Sequence, residues 1–160
     1  GGSMAQSSVA AQRAARRALD RRLPQLRDAR RTTTSPHGGW VRAIRDALGM
    51  SAANLADRMG TVETSVLSLE RNEVARKARL DTLERAADAL NCDLVFALVP
   101  RQSLEEMVEQ RAQARAAAML GVVGHSMLLE DQQVSSAATQ DQLQEQTARL
   151  RERRGLWRDE

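Results

Sequence analysis

The stretch "ADRMGTVETSVLSLE", Ala56–Glu70, decides the fold. It reads as the end of one short helix, a tight turn and most of a second helix. Gly60 stands where the chain must turn with positive φ, which glycine adopts without steric penalty. Val66 and Leu69 are spaced to face a core. The opposite side of the second helix is therefore left to meet something outside the domain.

The spacing within this stretch meets the demands of a helix-turn-helix unit. Where two short helices cross steeply, the residue of the first helix at the crossing must be small, and Ala56 supplies it. Gly60 follows four positions later, and Val66 and Leu69 follow ten and thirteen positions after Ala56. Four requirements met at fixed spacing indicate a DNA-binding unit, because such a unit keeps one helix face free for the major groove.

The flanking sequence predicts further helices whose apolar residues share one stripe. Ser51 is suited to cap the helix before the turn, and Thr61 the helix after it. The predicted inward positions are Trp40, Val41, Ile44 and Leu48 in the first helix, Leu55, Ala56 and Met59 in the second, and Leu80, Leu83, Ala87 and Leu90 in the fourth.

Both ends of the chain are also helix-prone. Residues 5–30 form one such segment, in which Leu19, Leu23 and Leu26 share a face and Pro24 is expected to bend or split the helix. A capping box at Ser103 opens a long helix. A final amphipathic helix is predicted over residues 140–154, with inward Leu143, Thr147 and Leu150.

The segment "DLVFALVP", residues 93–100, differs from the rest because its length and composition favour a β-strand. A single strand in a helical protein leaves its backbone N–H and C=O groups unpaired. Pairing with the same strand of a second copy satisfies both, so we predict a dimer strand formed by Leu94, Val95, Phe96, Ala97 and Leu98. The alternative is a strand or turn packed within its own chain, and Cys92 before it reads as a small buried apolar residue.

Composition limits the possible functions. One cysteine and two histidines are too few for a structural zinc site, and they argue against Cys–His or Ser–His–Asp catalysis. We therefore expect no cofactor and no enzyme activity. Three aromatic residues do not make a platform for stacking single-stranded nucleic acid. Because no segment resembles a membrane helix or a signal peptide, we expect a cytoplasmic protein.

Charge is concentrated near the start of the chain. Residues 13–31 carry eight arginines against Asp20 and Asp28, whereas the remainder is mildly acidic. This basic arm is suited to DNA phosphates, to a minor groove or to an acidic protein surface. A solvated arginine face is the alternative.

These features divide the chain into five segments. Residues 1–3 precede Met4 and are read as a cloning remnant. The others are a basic helical arm and linker over 4–38, a helix-turn-helix domain over 39–91, a dimerising strand over 92–100 and a helical extension over 101–160. The predicted fold class is thus all-α, with one short strand.

Two resemblances extend this prediction. "RAIRDALGMSAANLADRMGTVETSVLSLERNE" followed by "LDTLERAADALNCDL" resembles the phage-repressor (Cro/C1, xenobiotic-response-element) type of helix-turn-helix domain. Together with "LDRRL", "LVFALVPR", "LEEMV", "HSMLLEDQ" and "GLW", the chain resembles the bacterial mobile mystery protein A family. That family implies a repressor-like protein encoded beside a Fic-domain partner, in an arrangement like a toxin–antitoxin pair, and associated with the nucleoid when DNA-bound.

The candidates for reading bases lie on the free face of the helix after the turn. They are Glu63, Thr64, Leu67 and Ser68. In the phage-repressor family the matching positions meet base edges. Glu63 is suited to accept from a cytosine amino group, and Leu67 or Thr64 to touch a thymine methyl. Glu63 has an alternative role in complementing the helix dipole. The family's common Gln-Gln start is missing here, so no target sequence is carried over.

Cations and an amide around this helix are the candidates for phosphate contacts, which position the domain without reading sequence. They are Arg42, Arg45, Arg71, Asn72, Arg76, Lys77 and Arg79.

A further motif, "SMLLED" at residues 126–131, resembles in part the motif with which antitoxins inhibit Fic enzymes. The resemblance gives Ser126 and Glu130 as the motif's Ser/Thr and its glutamate, which would pair with a Fic arginine. Asp131 departs from the Gly or Asn that follows in that motif. The alternative is an ordinary helix start capped by Ser126.

The sequence therefore predicts a homodimer that binds double-stranded operator DNA, represses its own operon and partners a Fic-domain protein. Two alternatives stay open: a protein-binding antitoxin without DNA affinity, and a protein that compacts nucleic acid without sequence preference.

Overall fold

The computed structural model describes residues 8–121, 133–151 and 155–158. Across these ranges the chain is helical and contains no strand, which confirms the all-α class. The helices in order are α1 (Val9–Thr32), α2 (Trp40–Ala47), α3 (Ala52–Met59), α4 (Glu63–Val74), α5 (Leu80–Ala89), α6 (Leu104–Met119) and α7 (Gln133–Arg151). Among them, no helix has the length and apolar character needed to cross a membrane.

The chain divides into two compact units. Residues Asp28–Leu98 form the first, which we call the central unit. The described residues up to Arg27 and from Val99 onward form the second, which we call the terminal unit. The terminal unit thus contains most of the N-terminal helix together with the C-terminal helices.

The central unit is built around α3, which packs against α4 and α5. Ser51 and Asn54 form a reciprocal capping box at the start of α3, as the sequence predicts for Ser51. Gly60 ends α3 in the left-handed conformation, with φ of 69°. The buried core of this unit contains residues from α2, α3, α4 and α5. They are Val41, Ala52, Leu55, Ala56, Val66, Leu69, Ala86 and Leu90.

Several predicted inward positions of the central unit are wrong. Trp40 is the first residue of α2, which is only eight residues long, and Leu48 is its C-cap. Because both lie at the ends of the helix, outside its buried turn, they are 45% and 58% exposed. Leu80 is the first residue of α5 and is 46% exposed. Thr61 does not cap α4, because the N-cap position falls one residue later, at Val62.

The terminal unit is built on α6 and α7. Its core contains two alanines that are wholly buried, and the full set is Val108, Ala112, Ala116, Leu150 and Leu156. Leu150 and Thr147 are buried as predicted, with Leu143 packed against them. The helix α1 runs without a break through Pro24, so the proline does not split it.

The predicted strand over residues 93–99 is not observed. In the described chain this segment lies outside every helix and strand. A strand needs the backbone of a neighbouring segment, and none of the described residues supplies one. Val95 and Leu98 are 86% and 93% exposed, so the alternative of packing within the chain does not hold for them.

Candidate nucleic-acid interface

The helix α4 presents two contrasting faces. Val66 and Leu69 are 1% and 4% exposed and anchor the helix in the core. Glu63, Thr64 and Leu67 are exposed on the other side, and Ser68 beside them is half-buried. The structure therefore brings the four residues that the sequence predicts to read bases onto one accessible face.

The N-terminus of α4 is open. Its N-cap residue, Val62, makes no side-chain hydrogen bond to the helix. The first N–H groups of a helix carry a partial positive charge and favour an anion. Glu63 lies in this first turn, where its carboxylate complements the dipole, so both of the roles considered for Glu63 fit its position.

A cleft of about 430 Å³ lies alongside the exposed face. It runs between α4 and the loop that leads into α5. Its lining combines hydroxyls, an amide and two cations, including Thr64, Ser68, Asn72, Lys77, Arg79 and Thr82. Hydroxyl, amide and cationic donors are the groups that bind DNA phosphate and sugar oxygens. Sequence analysis missed Thr82, because it belongs to α5 and only the fold brings it beside α4.

Six of the seven predicted phosphate contacts are exposed: Arg42, Arg71, Asn72, Arg76, Lys77 and Arg79. Three of them have partners within the central unit. Arg71 donates to the Ser68 hydroxyl at 3.2 Å, and Arg79 pairs with Asp81 at 3.0 Å. Arg42 lies 3.7 Å from Asp46. Exposed pairs of this kind contribute little free energy, so these arginines are able to exchange partners.

Arg45 is the exception, and its prediction as a phosphate contact is wrong. It is 9% exposed and binds Glu70 through two hydrogen bonds, of 2.7 and 3.2 Å. It also donates to the Met50 carbonyl. The hydrogen bond that Arg45 donates to Glu70 raises the pKa of Arg45 above its usual value, although burial opposes this. Arg45 therefore fixes α2 against α4 instead of facing a ligand.

A second carboxylate of α4 also serves the scaffold. Glu73 accepts from the backbone N–H groups of Trp40 and Val41, at 2.5 and 3.0 Å, and so caps α2. The cap fits because Gly39, with φ of 91°, has no Cβ; one placed there would lie 2.6 Å from a Glu73 oxygen. Glu70 and Glu73 together hold the end of α4 opposite its open N-terminus.

The arginines of the basic arm have different surroundings. Arg16 binds Glu105 at 2.7 Å, Arg27 donates to the Arg101 carbonyl, and Arg31 pairs with Asp28. Arg17, Arg21, Arg22 and Arg30 are exposed. The prediction of an arginine face that is either solvated or ligand-binding therefore applies to only some of the arginines in the basic arm. Ser126 and Glu130 lie outside the described residues.

Comparison with known proteins adds a family-level match. A family model described as helix-turn-helix matches residues 41–96, which include α2 from its second residue, α3 to α5 and the first part of the exposed apolar segment. Searches of curated proteins and of solved structures found no match. The chain thus carries a helix-turn-helix domain of the Cro/C1 type, the kind through which transcriptional regulators bind DNA.

Proposed function

We propose that the protein is a sequence-specific transcriptional regulator that binds operator DNA through α4 and represses its own operon. One observation carries the proposal: the face of α4 opposite Val66 and Leu69 is exposed and borders a cleft that contains Lys77 and Arg79. A helix anchored on one side and flanked by phosphate-binding groups fits a major groove. The proposal assigns the protein no catalytic activity.

The two sets of residues divide the work of binding. Lys77, Arg79 and Asn72 would hold the phosphate backbone and set the angle at which α4 enters the groove. Thr64 and Ser68 would donate to or accept from base edges, and Leu67, which is 36% exposed, would touch a thymine methyl. The buried Arg45–Glu70 pair would keep α4 from rotating when those contacts form.

Operator binding of this kind requires two copies. A single helix-turn-helix unit covers one half-site, and regulators of this type span two half-sites about one helical turn apart as a two-fold dimer. The proposal therefore includes a homodimer and a palindromic operator.

A gel-shift titration on the upstream DNA of its own gene, against scrambled DNA at two salt concentrations, tests the proposal. We expect selective binding with half-site symmetry. Equal and strongly salt-dependent binding to both DNAs would instead support nucleic-acid compaction without sequence preference. No binding to either would support a purely protein-binding antitoxin.

Two kinds of variant separate base reading from phosphate binding. Thr64→Ala and Ser68→Ala should lower discrimination between operator variants by about tenfold, since a lost base contact is worth on the order of 1–3 kcal/mol. Lys77→Gln should weaken binding to all sequences and lower the salt slope by about one. Thr34→Ala, at an exposed linker position, is the matched control. Unchanged discrimination in both α4 variants would show that another face reads the DNA.

A Fic-domain protein is the partner that we propose for the antitoxin-like role. The support is the resemblance of the whole chain to the mobile mystery protein A family, together with Ser126 and Glu130 in the partial inhibitory motif. Coexpression with a Fic-domain protein encoded beside this gene would test it: we expect a co-purifying complex, and Glu130→Ala should relieve inhibition of the Fic enzyme. A complex whose inhibition survives that change would place the inhibitory contact elsewhere.

A further inference from the structure

The segment Leu94–Leu98 exposes three large apolar side chains close together along the chain. Val95, Phe96 and Leu98 are 86%, 66% and 93% exposed. These three lie within four consecutive residues of a non-helical segment, and Val95 and Leu98 are more exposed than any other large apolar residue of the described chain. A cluster of exposed apolar residues of this kind is typical of an interaction surface.

The backbone of the same segment is unpaired. In the described part of the chain, no N–H or C=O group of residues 93–99 makes a backbone hydrogen bond. Unpaired extended backbone is a template for another strand. One partner, a β-strand of similar composition, would both cover the exposed apolar side chains and pair with the free backbone groups of this segment.

We propose that this segment pairs antiparallel with the same segment of a second copy, with the two-fold axis at Ala97. The inference deepens the proposed function, which requires a dimer, by naming the surface and the register through which the two copies associate.

The charges on either side of the segment favour this alignment of the two strands. Asp93 and Arg101 are both exposed and lie four residues before and after Ala97. Antiparallel pairing about Ala97 puts Asp93 of each copy opposite the other copy's Arg101. Moving the axis to Phe96 or Leu98 would put Asp93 opposite an uncharged residue. Opposite charges directly across a strand pair favour that alignment.

Pro100 supports the same register. It faces Leu94 of the other copy, and because proline has no N–H it is tolerated only at a non-hydrogen-bonded pair. The alternation then makes Phe96 and the facing Leu98 a non-hydrogen-bonded pair as well, in which the Cα atoms approach to about 4.5 Å. Leu94, Phe96 and Leu98 of both copies lie on one face of the two paired strands and form an apolar contact there.

Sedimentation of the full chain without DNA tests the surface. We expect a dimer, and Phe96→Asp or Leu98→Asp should raise its dissociation constant at least tenfold with helical content unchanged. Leu48→Asp, at an apolar residue that is 58% exposed on the same unit, is the matched control and should leave the dimer intact. A monomeric wild-type chain, or a dimer that survives both segment variants, would overturn the proposal.

Cross-linking tests the register in a Cys92→Ser background. Ala97→Cys should form a disulfide-linked dimer on mild oxidation, because the two residues at the axis lie about 5.5 Å apart. Val95→Cys should not, since its two copies would be about 14 Å apart. Efficient cross-linking at position 95 and not at 97 would overturn the register.

A charge exchange provides an independent test. Asp93→Arg alone should weaken the dimer, and Asp93→Arg combined with Arg101→Asp should restore it; failure to restore it would count against the Ala97 register. These measurements use no DNA. A dimer that behaves as expected but does not select an operator would contradict the proposed function alone.

Discussion

The central and terminal units use the same ionic chemistry in different surroundings. In the central unit Arg45 and Glu70 form a pair whose side chains are 10% and 8% exposed. In the terminal unit Glu105 binds Arg16 and Arg151, and the side chains of Glu105, Arg151 and Arg16 are 33%, 32% and 15% exposed. Both units also cap a helix with a carboxylate from a distant part of the chain: Glu73 caps α2, and Asp20 accepts from the N–H groups of Leu104 and Glu105 at the start of α6.

The difference in exposure decides what each pair contributes. A buried charge without its partner is strongly destabilising, whereas an exposed pair is screened by water and contributes little. The central unit therefore depends on one ion pair for the position of α4. The terminal unit distributes its charges over several partly exposed ion pairs and depends on each of them less.

Glu70→Ala is expected to have the largest effect. It leaves the Arg45 guanidinium buried without its partner, which costs about 3–5 kcal/mol of unfolding free energy. The matched change Glu105→Ala should cost under about 1 kcal/mol. Chemical denaturation of both variants measures the two values. Equal losses would show that exposure does not distinguish the two units.

The buried pair also shows where sequence analysis reaches its limit. Arg45 lies four residues after Val41, and Glu70 four residues after Val66, so each charge falls on a buried stripe. That spacing was a signal that both are buried. The arginine was instead predicted to bind phosphate, because no pattern in one sequence pairs residues on two different helices.

Local features were the predictable ones. The Ser51 cap, the Gly60 turn and the anchors Val66 and Leu69 each depend on spacing within one or two helical turns, and the structure contains all four. The caps by Glu73 and Asp20 span 33 and 84 residues, and only the fold brings their atoms together. The strand pairing that we propose for residues 93–99 would depend on a second copy, which a single chain does not contain.

The small residues at helix crossings allow a second matched comparison. Ala56 in the central unit and Ala112 in the terminal unit are 2% and 0% exposed. A leucine at either position overfills a packed core, which typically costs about 1–3 kcal/mol. We expect both Ala56→Leu and Ala112→Leu to lower the unfolding free energy by that amount. Only Ala56→Leu should also reduce operator affinity, because it displaces α4; equal loss of binding in both would contradict the assignment of DNA binding to the central unit.

The two distant caps should have smaller effects. Glu73→Ala and Asp20→Ala each remove a carboxylate that accepts two backbone N–H groups, and the loss of a helix cap costs about 0.5–2 kcal/mol. Asp20→Ala should fall at the lower end, since the Ser103 side chain still accepts from Glu106 at the start of α6. Glu84→Ala, at an exposed position of α5, is the control for removing a negative charge. A Glu73→Ala variant as stable as Glu84→Ala would show that α2 needs no cap.

The smallest expected effect is a pH dependence of the terminal unit. The hydrogen bond from Arg16 lowers the pKa of Glu105 below its usual value of 4.5; burial opposes this, and the charge of Arg151 adds to it. A carboxylate with a lowered pKa stabilises the fold fully above its unfolded pKa, and that stabilisation is lost as the pH falls through the folded pKa. The difference in unfolding free energy between the wild-type chain and Glu105→Gln should therefore be constant near neutral pH and shrink as the pH falls below 4.5. It should stay under about 1 kcal/mol, because the Glu105 side chain is one-third exposed. Thermal unfolding of both chains across this range measures the difference, and a difference that grows as the pH falls would mean that the ion pairs of Glu105 do not stabilise the terminal unit.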